Sequence, residues 1–368
     1  MSRPRSDIGA HNPDVDDPEL RGWFDGRTAS HEFSGVALAW RNGRAEFCYA
    51  GGMAHRGHGV PITERTRFGI ASVTKMVTAT TVLRLVDHGL VGLAQPLLEI
   101  LPEAQRPRAL TAAHTVHHVL SHTSGLRDYH DDEDPTSFAS VWDRIPTYHV
   151  RRPADALPLF ADLPAVRPPG ERFQYVDANF ILAGLVIEAV TGRAWDEVAA
   201  DEVLRPAGMV DSAVEAIDDD PPRLATGYLT DDGPPERPRA NIFSLTANGM
   251  PDGGMISTAM DLTRFVDALL GGRLLSPPLL AAMTRPQGPV SADLEQYGYG
   301  CWLVVERGSV TIIGHGGGDP GVSARVAHHL AAGTTIVVLC NQDRGSWAAA
   351  RQITQALGLR DPREIPTS

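Results

Sequence analysis

The sequence predicts an α/β protein whose antiparallel sheet is built from both chain ends, flanked by helices and joined to an all-helical subdomain. Three observations predict this. Strand-like apolar runs lie near the two ends, at 35–40 and 45–50 and again between 300 and 339. The stretch from about 95 to 290 reads as helix and loop. The late strands are separated by short glycine-containing turns, too short for the crossover that parallel pairing needs. The expected organisation is a disordered tail over 1–30, an α/β domain from 31–95 and 290–368, and a mainly helical domain with long loops over 96–289. The active site is expected in the cleft between the two domains.

Each element has its own warrant. Gly35 to Trp40 and Ala45 to Ala50 flank Asn42-Gly43, and Asn-Gly between apolar runs is a strong hairpin signal. The segment from Ser72 to His88 is densely apolar and stops at Gly89, a residue suited to the position just past a helix end. Further helices are expected at 115–121, 178–190, 194–204, 259–270 and 346–357. Two long connections, His130 to Pro135 and Asp218 to Arg239, are rich in Asp and Pro. Loops of that length usually serve function.

Composition narrows the function. A chain of 368 residues can bury a large core. Its net charge of −12 argues against nucleic acid or an anionic membrane surface as partner, because both reward clustered positive charge. Met1 to Arg21 is polar and holds no apolar signal segment, so a cytoplasmic location is expected. Cys48, Cys301 and Cys340 are scattered in apolar stretches and read as buried free thiols.

One residue stands out. Lys75 is the sole lysine in a chain whose Lys+Arg count is 33. An amine can lose its proton near neutral pH in a suitable environment, and a guanidinium cannot. Lys75 follows Ser72 by three residues, so a helix starting here puts hydroxyl and amine on one face. That pairing is what a serine nucleophile with an amine base requires. Serine before an apolar helix also serves as an N-cap, and both roles can coexist.

Four stretches, in order, resemble the serine β-lactamase and penicillin-binding-protein superfamily, in its class C β-lactamase-like serine hydrolase branch (the esterase and D-aminopeptidase side). They are Phe68-Gly69-Ile70-Ala71-Ser72-Val73-Thr74-Lys75, Val119-Leu120-Ser121-His122-Thr123-Ser124-Gly125-Leu126, Phe173-Gln174-Tyr175-Val176-Asp177 and Gly314-His315-Gly316-Gly317-Gly318. A weaker match is Asn248 to Thr258. The resemblance spans roughly 33–345 and implies a β-lactamase/transpeptidase-like fold.

It also implies roles. Ser72 would be the nucleophile and Lys75 its base, with Tyr175 as second proton carrier. An ammonium beside Tyr175 should lower its phenol pKa. The backbone N–H groups of Ser72 and Gly318 would form the oxyanion hole. His315 stands where β-lactamases usually carry Lys, and it would orient Tyr175 or touch the substrate. Gly316 and Gly317 would let the strand edge approach the substrate closely. Asp177 replaces the usual Asn. It would bind substrate, hold Lys75 charged and shift the base role toward Tyr175, or simply cap the following helix.

A rival cluster is His114, His117, His118 and His122, where His118 and His122 have the i, i+4 spacing that can bind zinc. No glutamate lies between that pair, so no metal and no cofactor is expected. The reading is a serine hydrolase acting on a small-molecule ester or amide through a Ser72 acyl-enzyme. Three alternatives stay open: transfer of the acyl group to an amine or alcohol, β-lactamase or D-peptidase activity, and a catalytically silent binding protein. The oligomeric state is not legible.

Overall fold

The computed structural model describes residues 17–130, 141–143, 145–230, 238–289, 293–361 and 363. Residues 1–16 of the expected tail, 131–135 of the first long connection and 231–237 of the second lie outside the described residues.

A seven-stranded antiparallel sheet forms the frame. Its strands are β1 (Gly35–Arg41), β2 (Arg44–Gly51), β3 (Glu295–Tyr297), β4 (Trp302–Glu306), β5 (Ser309–Asp319), β6 (Val322–His329) and β7 (Thr334–Cys340). Their spatial order is β2-β1-β7-β6-β5-β4-β3. The first and last strands in sequence thus pair side by side within it, with Gly35 opposite Cys340 and Arg41 opposite Thr334. Asn42 and Gly43 both have positive φ, 51° and 78°, as a tight hairpin turn requires.

Both faces of the sheet are covered, which explains why its strands read as nearly continuous apolar runs. Val36, Leu38, Val337 and Leu339 point into the larger core with the central helices. Ala37, Ala39, Ile336 and Val338 point the other way. On that second face lie α1 (Pro18–Ala29) and a C-terminal helix (Ser346–Ala356).

Helix α1 corrects the expectation of a disordered tail for residues 18–29. Asp17 caps it by accepting from the N–H groups of Glu19 and Leu20 at 2.9 and 3.1 Å, with Pro at the first turn. Gly22 and Gly26 weaken its intrinsic propensity. Tertiary burial compensates, since Leu20 and Phe24 are 1% and 0% exposed. Phe24 packs against Phe33, Phe47 and Tyr49 at centroid distances of 4.9, 5.4 and 4.8 Å.

Helix α2 (Thr74–Asp87) runs through the larger core, buried around most of its circumference. A neighbouring helix, α3 (Val116–Leu120), leads into the Ser-His-Thr-Ser-Gly segment, and α4 (Asp177–Thr191) packs beside α2. Helix α5 (Ala259–Leu270) and the C-terminal helix, here α6, complete the elements that matter for the site. A two-residue strand pair, Phe68–Gly69 with Ile256–Ser257, brings the 248–258 stretch against the start of α2. Among the described residues, no helix is long and apolar enough to cross a membrane.

Candidate active site

Ser72 sits in a single 3-10 turn, Ala71–Val73, immediately before α2. Ala71 has φ +45°, a left-handed conformation that costs a non-glycine residue about 1–3 kcal/mol. The turn is pinned on both sides. Ile70 N–H donates to Met255 O at 2.9 Å, and Met255 N–H donates to Thr74 Oγ1 at 3.1 Å. Ser72 does not act as an N-cap, since Val73 holds that position without a side-chain cap bond. Its hydroxyl instead faces Lys75.

Lys75 is completely buried. Its Nζ lies 2.9 Å from Ser72 Oγ, 2.5 Å from Asp252 O and 2.5 Å from Asp177 Oδ1. Ser72 Oγ and the Asp252 carbonyl each accept a hydrogen bond from it, and Asp177 Oδ1 stands as its ion-pair partner without hydrogen-bond geometry. Burial alone pulls the amine pKa down, but the carboxylates of Asp177 and Asp252 outweigh it and hold the group above its ordinary value. Lys75 is therefore an ammonium in the resting protein.

Asp177 is free to do this because another carboxylate caps its helix. Asp177 is the first residue of α4, and the N-cap position before it is held by Val176, which has no side-chain cap bond. Asp128 accepts from the N–H groups of Asp177 and Ala178 at 2.5 and 3.2 Å. The capping alternative for Asp177 is thus replaced by the contact with Lys75. His130 Nε2 stands 3.5 Å from its other oxygen.

Tyr175 is positioned by the Ser-His-Thr-Ser-Gly segment. His122, at φ +55°, accepts from Val176 N–H through Nδ1 at 3.1 Å and from Gln174 N–H through its carbonyl at 2.9 Å. Their rings lie 4.3 Å apart. Ser72 stands close enough to the phenol to bear on its acidity, and the two residues line the same two hollows. Lys75 Nζ lies 5.0 Å from the Tyr175 ring centroid. The expectation of a lowered phenol pKa is nevertheless wrong. Burial first, and then the Asp177 charge, push it well up, with Asp252 and Asp128 adding to the rise.

His315 is 1% exposed on β5. Its Nδ1 lies 2.5 Å from Gly316 O and its Nε2 3.0 Å from Tyr297 OH. A carbonyl can only accept, so Nδ1 carries the proton. Burial and the Lys75 charge push the ring pKa down to about 3, so Nε2 is the acceptor and Tyr297 the donor. Both nitrogens are engaged by protein, and the ring centroid is 6.2 Å from that of Tyr175.

Strand β5 outruns its neighbour. Trp302 of β4 pairs opposite Gly314 at the end of their ladder, while β5 continues to Asp319 along β6. The overhanging segment passes the nucleophile turn. A Cβ on Gly317 would stand 2.5 Å from Ile70 O and 3.1 Å from Ser72 N. One on Gly316 would stand 2.8 Å from the Trp347 ring, whereas Gly318 has open space. The room left at Gly316 and Gly317 is therefore occupied by protein.

Two hollows meet at Ser72 and Tyr175. The main cavity, about 500 Å³, has apolar walls that include Val141, Leu159, Ile181 and Met250. Asp177, Asp252 and Asp319 also line it. The second hollow is bounded by Trp302, His315, Gly316 to Gly318 and Trp347.

Sequence reasoning missed several of these residues. Asp252 lies within the stretch of weaker resemblance, yet nothing singled it out there. Its Oδ2 accepts from Tyr129 OH at 2.5 Å. Burial, then Asp177, push its carboxyl up to about 6. Burial and Asp177 raise Asp128 to about 7, and burial with Asp177 and Asp252 raises Asp319 to about 7. Tyr129 and Tyr297 sit in no motif, and only tertiary structure brings them in.

The histidine cluster disperses into separate hydrogen bonds, two local and one long-range. His114 Nδ1 meets Thr111, His118 Nδ1 meets Thr115, and His117 Nδ1 meets Tyr299 OH at 2.8 Å. Among the described residues, one set of ligand atoms lies mutually within 4.8 Å: Asp128, His130 and Asp177. Two of these are engaged already, Asp128 with the helix N-terminus and Asp177 with Lys75.

An antiparallel sheet closed by both chain ends, with a Ser-x-x-Lys pair at the start of a buried helix, defines the class of serine β-lactamases and penicillin-binding proteins. A family model described as Beta-lactamase matches residues 20–359, and the chain belongs to that family. The penicillin binding protein from Bacillus halodurans superposes with a TM-score of 0.83 at 35% identity, covering 90% of this chain and 99% of that one. Esterase EstB of Burkholderia gladioli is 32% identical over 302 residues, 72% of this chain and 73% of its own. A D-stereospecific amidohydrolase from Streptomyces sp. gives a TM-score of 0.73 at 27% identity, covering 94% of this chain and 100% of that one.

Proposed function

We propose that this protein is a serine hydrolase that cleaves an ester or amide through an acyl-enzyme on Ser72. The observation that carries the reading is the chain Ser72 Oγ, Lys75 Nζ, Asp177 Oδ1, with steps of 2.9 and 2.5 Å, at the meeting point of two hollows. Similarity to an esterase and an amidohydrolase supports the same chemistry.

A charged Lys75 cannot itself accept the serine proton, and a phenol held above its usual pKa is no better. The pair Lys75–Asp177 resolves this. As Ser72 attacks the carbonyl carbon, its proton passes to Nζ while Nζ gives one to Asp177, so Asp177 is the net acceptor. The ammonium stays charged beside the developing oxyanion, where positive charge is stabilising. When the tetrahedral species collapses, the bond to the leaving group breaks. A proton reaches that group from the Tyr175 hydroxyl, which is resupplied through Lys75 from Asp177. Water then repeats the sequence to release the acid.

The backbone N–H groups of Ser72 and Gly318 are assigned to the oxyanion. His315 is assigned to positioning, as Tyr297 and Gly316 occupy its nitrogens and it packs near Tyr175. The main cavity is assigned to the acyl group and the hollow beside Trp347 to the leaving group. That second hollow would equally admit an alcohol or amine acceptor, and product analysis with added alcohol distinguishes transfer from hydrolysis. An intact-mass screen against p-nitrophenyl esters, amino-acid amides and nitrocefin tests the reading. An acyl adduct on Ser72 is expected from an ester or amide, and absence of turnover and adduct across the panel would refute it.

A further inference from the structure

Two tryptophans, Trp302 and Trp347, border the smaller hollow. Trp347 is 55% exposed and yet held in place. It is the second residue of α6, whose first turn is tied to β6 by a hydrogen bond between the Ser346 and Ser323 hydroxyls. One face of its ring lies on the Arg325 guanidinium, with Cζ 3.6 Å from the ring centroid. Arg325 is 5% exposed, and burial pulls its pKa down to about 9. Among the described residues this guanidinium has no ion pair or hydrogen bond, and the indole is its partner. Burying a charge is costly, so a cation placed there to stack on one ring has that ring as its purpose. Gly316 pairs with Arg325 across the ladder and makes room for the stack, since a Cβ there would stand 2.8 Å from the Trp347 ring. Trp302 is fixed by other rings, stacked on Tyr175 at 6.1 Å and edge-on to Tyr297 at 5.0 Å.

We infer that this hollow is an aromatic slot for the leaving group, so that the substrate is an ester or amide of an arylmethyl alcohol or amine whose ring lies against Trp347. Trp302 is the second wall, and Arg325 is the positioning residue for Trp347. This rests on the hydrolase reading and specifies its leaving-group class. Ser72 and Tyr175 line the same hollow, so an acyl carbon on Ser72 Oγ directs the departing oxygen or nitrogen into it. When that bond breaks, the alcohol or amine leaves with the Tyr175 proton and its ring is already on the indole. Stacked rings gain free energy beyond the area they bury, and an indole fixed beforehand loses little side-chain freedom on binding. The Asp343 carboxylate at the rim is committed to the N–H groups of Gly321 and Thr230. Arg344 borders the hollow too, which makes a carboxylate-bearing leaving group the rival to test.

Equilibrium binding tests this without depending on catalysis. By ligand-observed NMR titration, benzyl alcohol is expected to bind the wild-type protein at least about fivefold more tightly than cyclohexylmethanol, which has similar size and no π face. Trp347→Leu should erase that preference. Arg325→Met should reduce it by weakening benzyl alcohol alone, whereas a loosened fold would weaken both ligands alike. In turnover, benzyl propionate should exceed cyclohexylmethyl propionate in kcat/KM by a similar factor, with carboxymethyl propionate behind both. Equal binding of the two alcohols, an unchanged preference in Trp347→Leu, or the carboxymethyl ester ahead of the benzyl ester overturns the inference. An unchanged preference in Arg325→Met removes Arg325 from it. Fluorophosphonate labelling of Ser72 on the same preparations reports separately on the hydrolase reading and on the integrity of each variant. Labelling without an aromatic preference sinks only the leaving-group class. An aromatic preference in binding without labelling supports the slot and sinks the hydrolase.

Discussion

Lys75 Nζ and Asp177 Oδ1 lie 2.5 Å apart, so the only lysine of the chain is held as an ammonium by the residue that departs from the family's usual asparagine. This ion pair governs the expected pH behaviour. Asp177→Asn removes the strongest of the groups that raise the Lys75 pKa, and burial then pulls it down. In the variant the base is neutral Lys75, whose fraction grows with pH. Activity of Asp177→Asn should fall at least tenfold at pH 6 and approach wild type near pH 9. Superimposable profiles of kcat/KM against pH would contradict the relay.

Lys75→Arg keeps the charge and removes the ability to pass a proton. The loss of general acid–base assistance is worth about 10²–10⁴ in rate, and kcat should fall within that range. The longer side chain must also fit a fully buried site, so circular dichroism and thermal melts should accompany the kinetics. A folded Lys75→Arg protein with near-normal turnover would remove Lys75 from the mechanism.

Stability should respond to the same carboxyl cluster. Asp128 and Asp319 titrate near 7 and Asp252 near 6 in the folded chain, against about 3.8 when unfolded. A raised folded pKa means that the folded state binds the proton more tightly. The resulting stabilisation is full below about pH 4 and is lost as pH rises through 6 to 7. From these groups, the melting temperature should be higher at pH 5 than at pH 7.5. Asp319→Asn should raise it at pH 7.5 and narrow the gap, as scanning calorimetry would show.

Tyr297 carries the second layer of the site. Tyr297→Phe leaves His315 Nε2 buried without its donor, which costs about 1–3 kcal/mol in chemical denaturation. If His315 positions Tyr175, kcat should drop several-fold with little change in KM. A full-strength enzyme in the destabilised variant would reduce His315 to a packing residue.

The frame and the nucleophile were legible in the sequence for physical reasons. Apolar runs at both ends and short turns between the late strands dictate an antiparallel sheet, and Ser72 and Lys75 sit one helical turn apart on contiguous chain. Helix α1 was not legible, because its two glycines and polar composition mask an Asp-Pro start signal that only the burial of Leu20 and Phe24 makes good. The carboxylate wall was not legible either. Asp177 and Asp252 are far apart in sequence, and their convergence on one nitrogen depends on how α4 and the 248–258 stretch pack against α2. The raised Tyr175 phenol was not legible either, because its first cause is burial, which only the packed structure supplies.

Activation of Ser72 through Lys75 is read most directly by fluorophosphonate labelling and peptide mass mapping in wild type, Ser72→Ala and Lys75→Arg. A single adduct is expected on the peptide containing Ser72, with no labelling in Ser72→Ala and labelling slowed at least about a hundredfold in Lys75→Arg. An unlabelled wild-type protein, or equal labelling of wild type and Ser72→Ala, would contradict it.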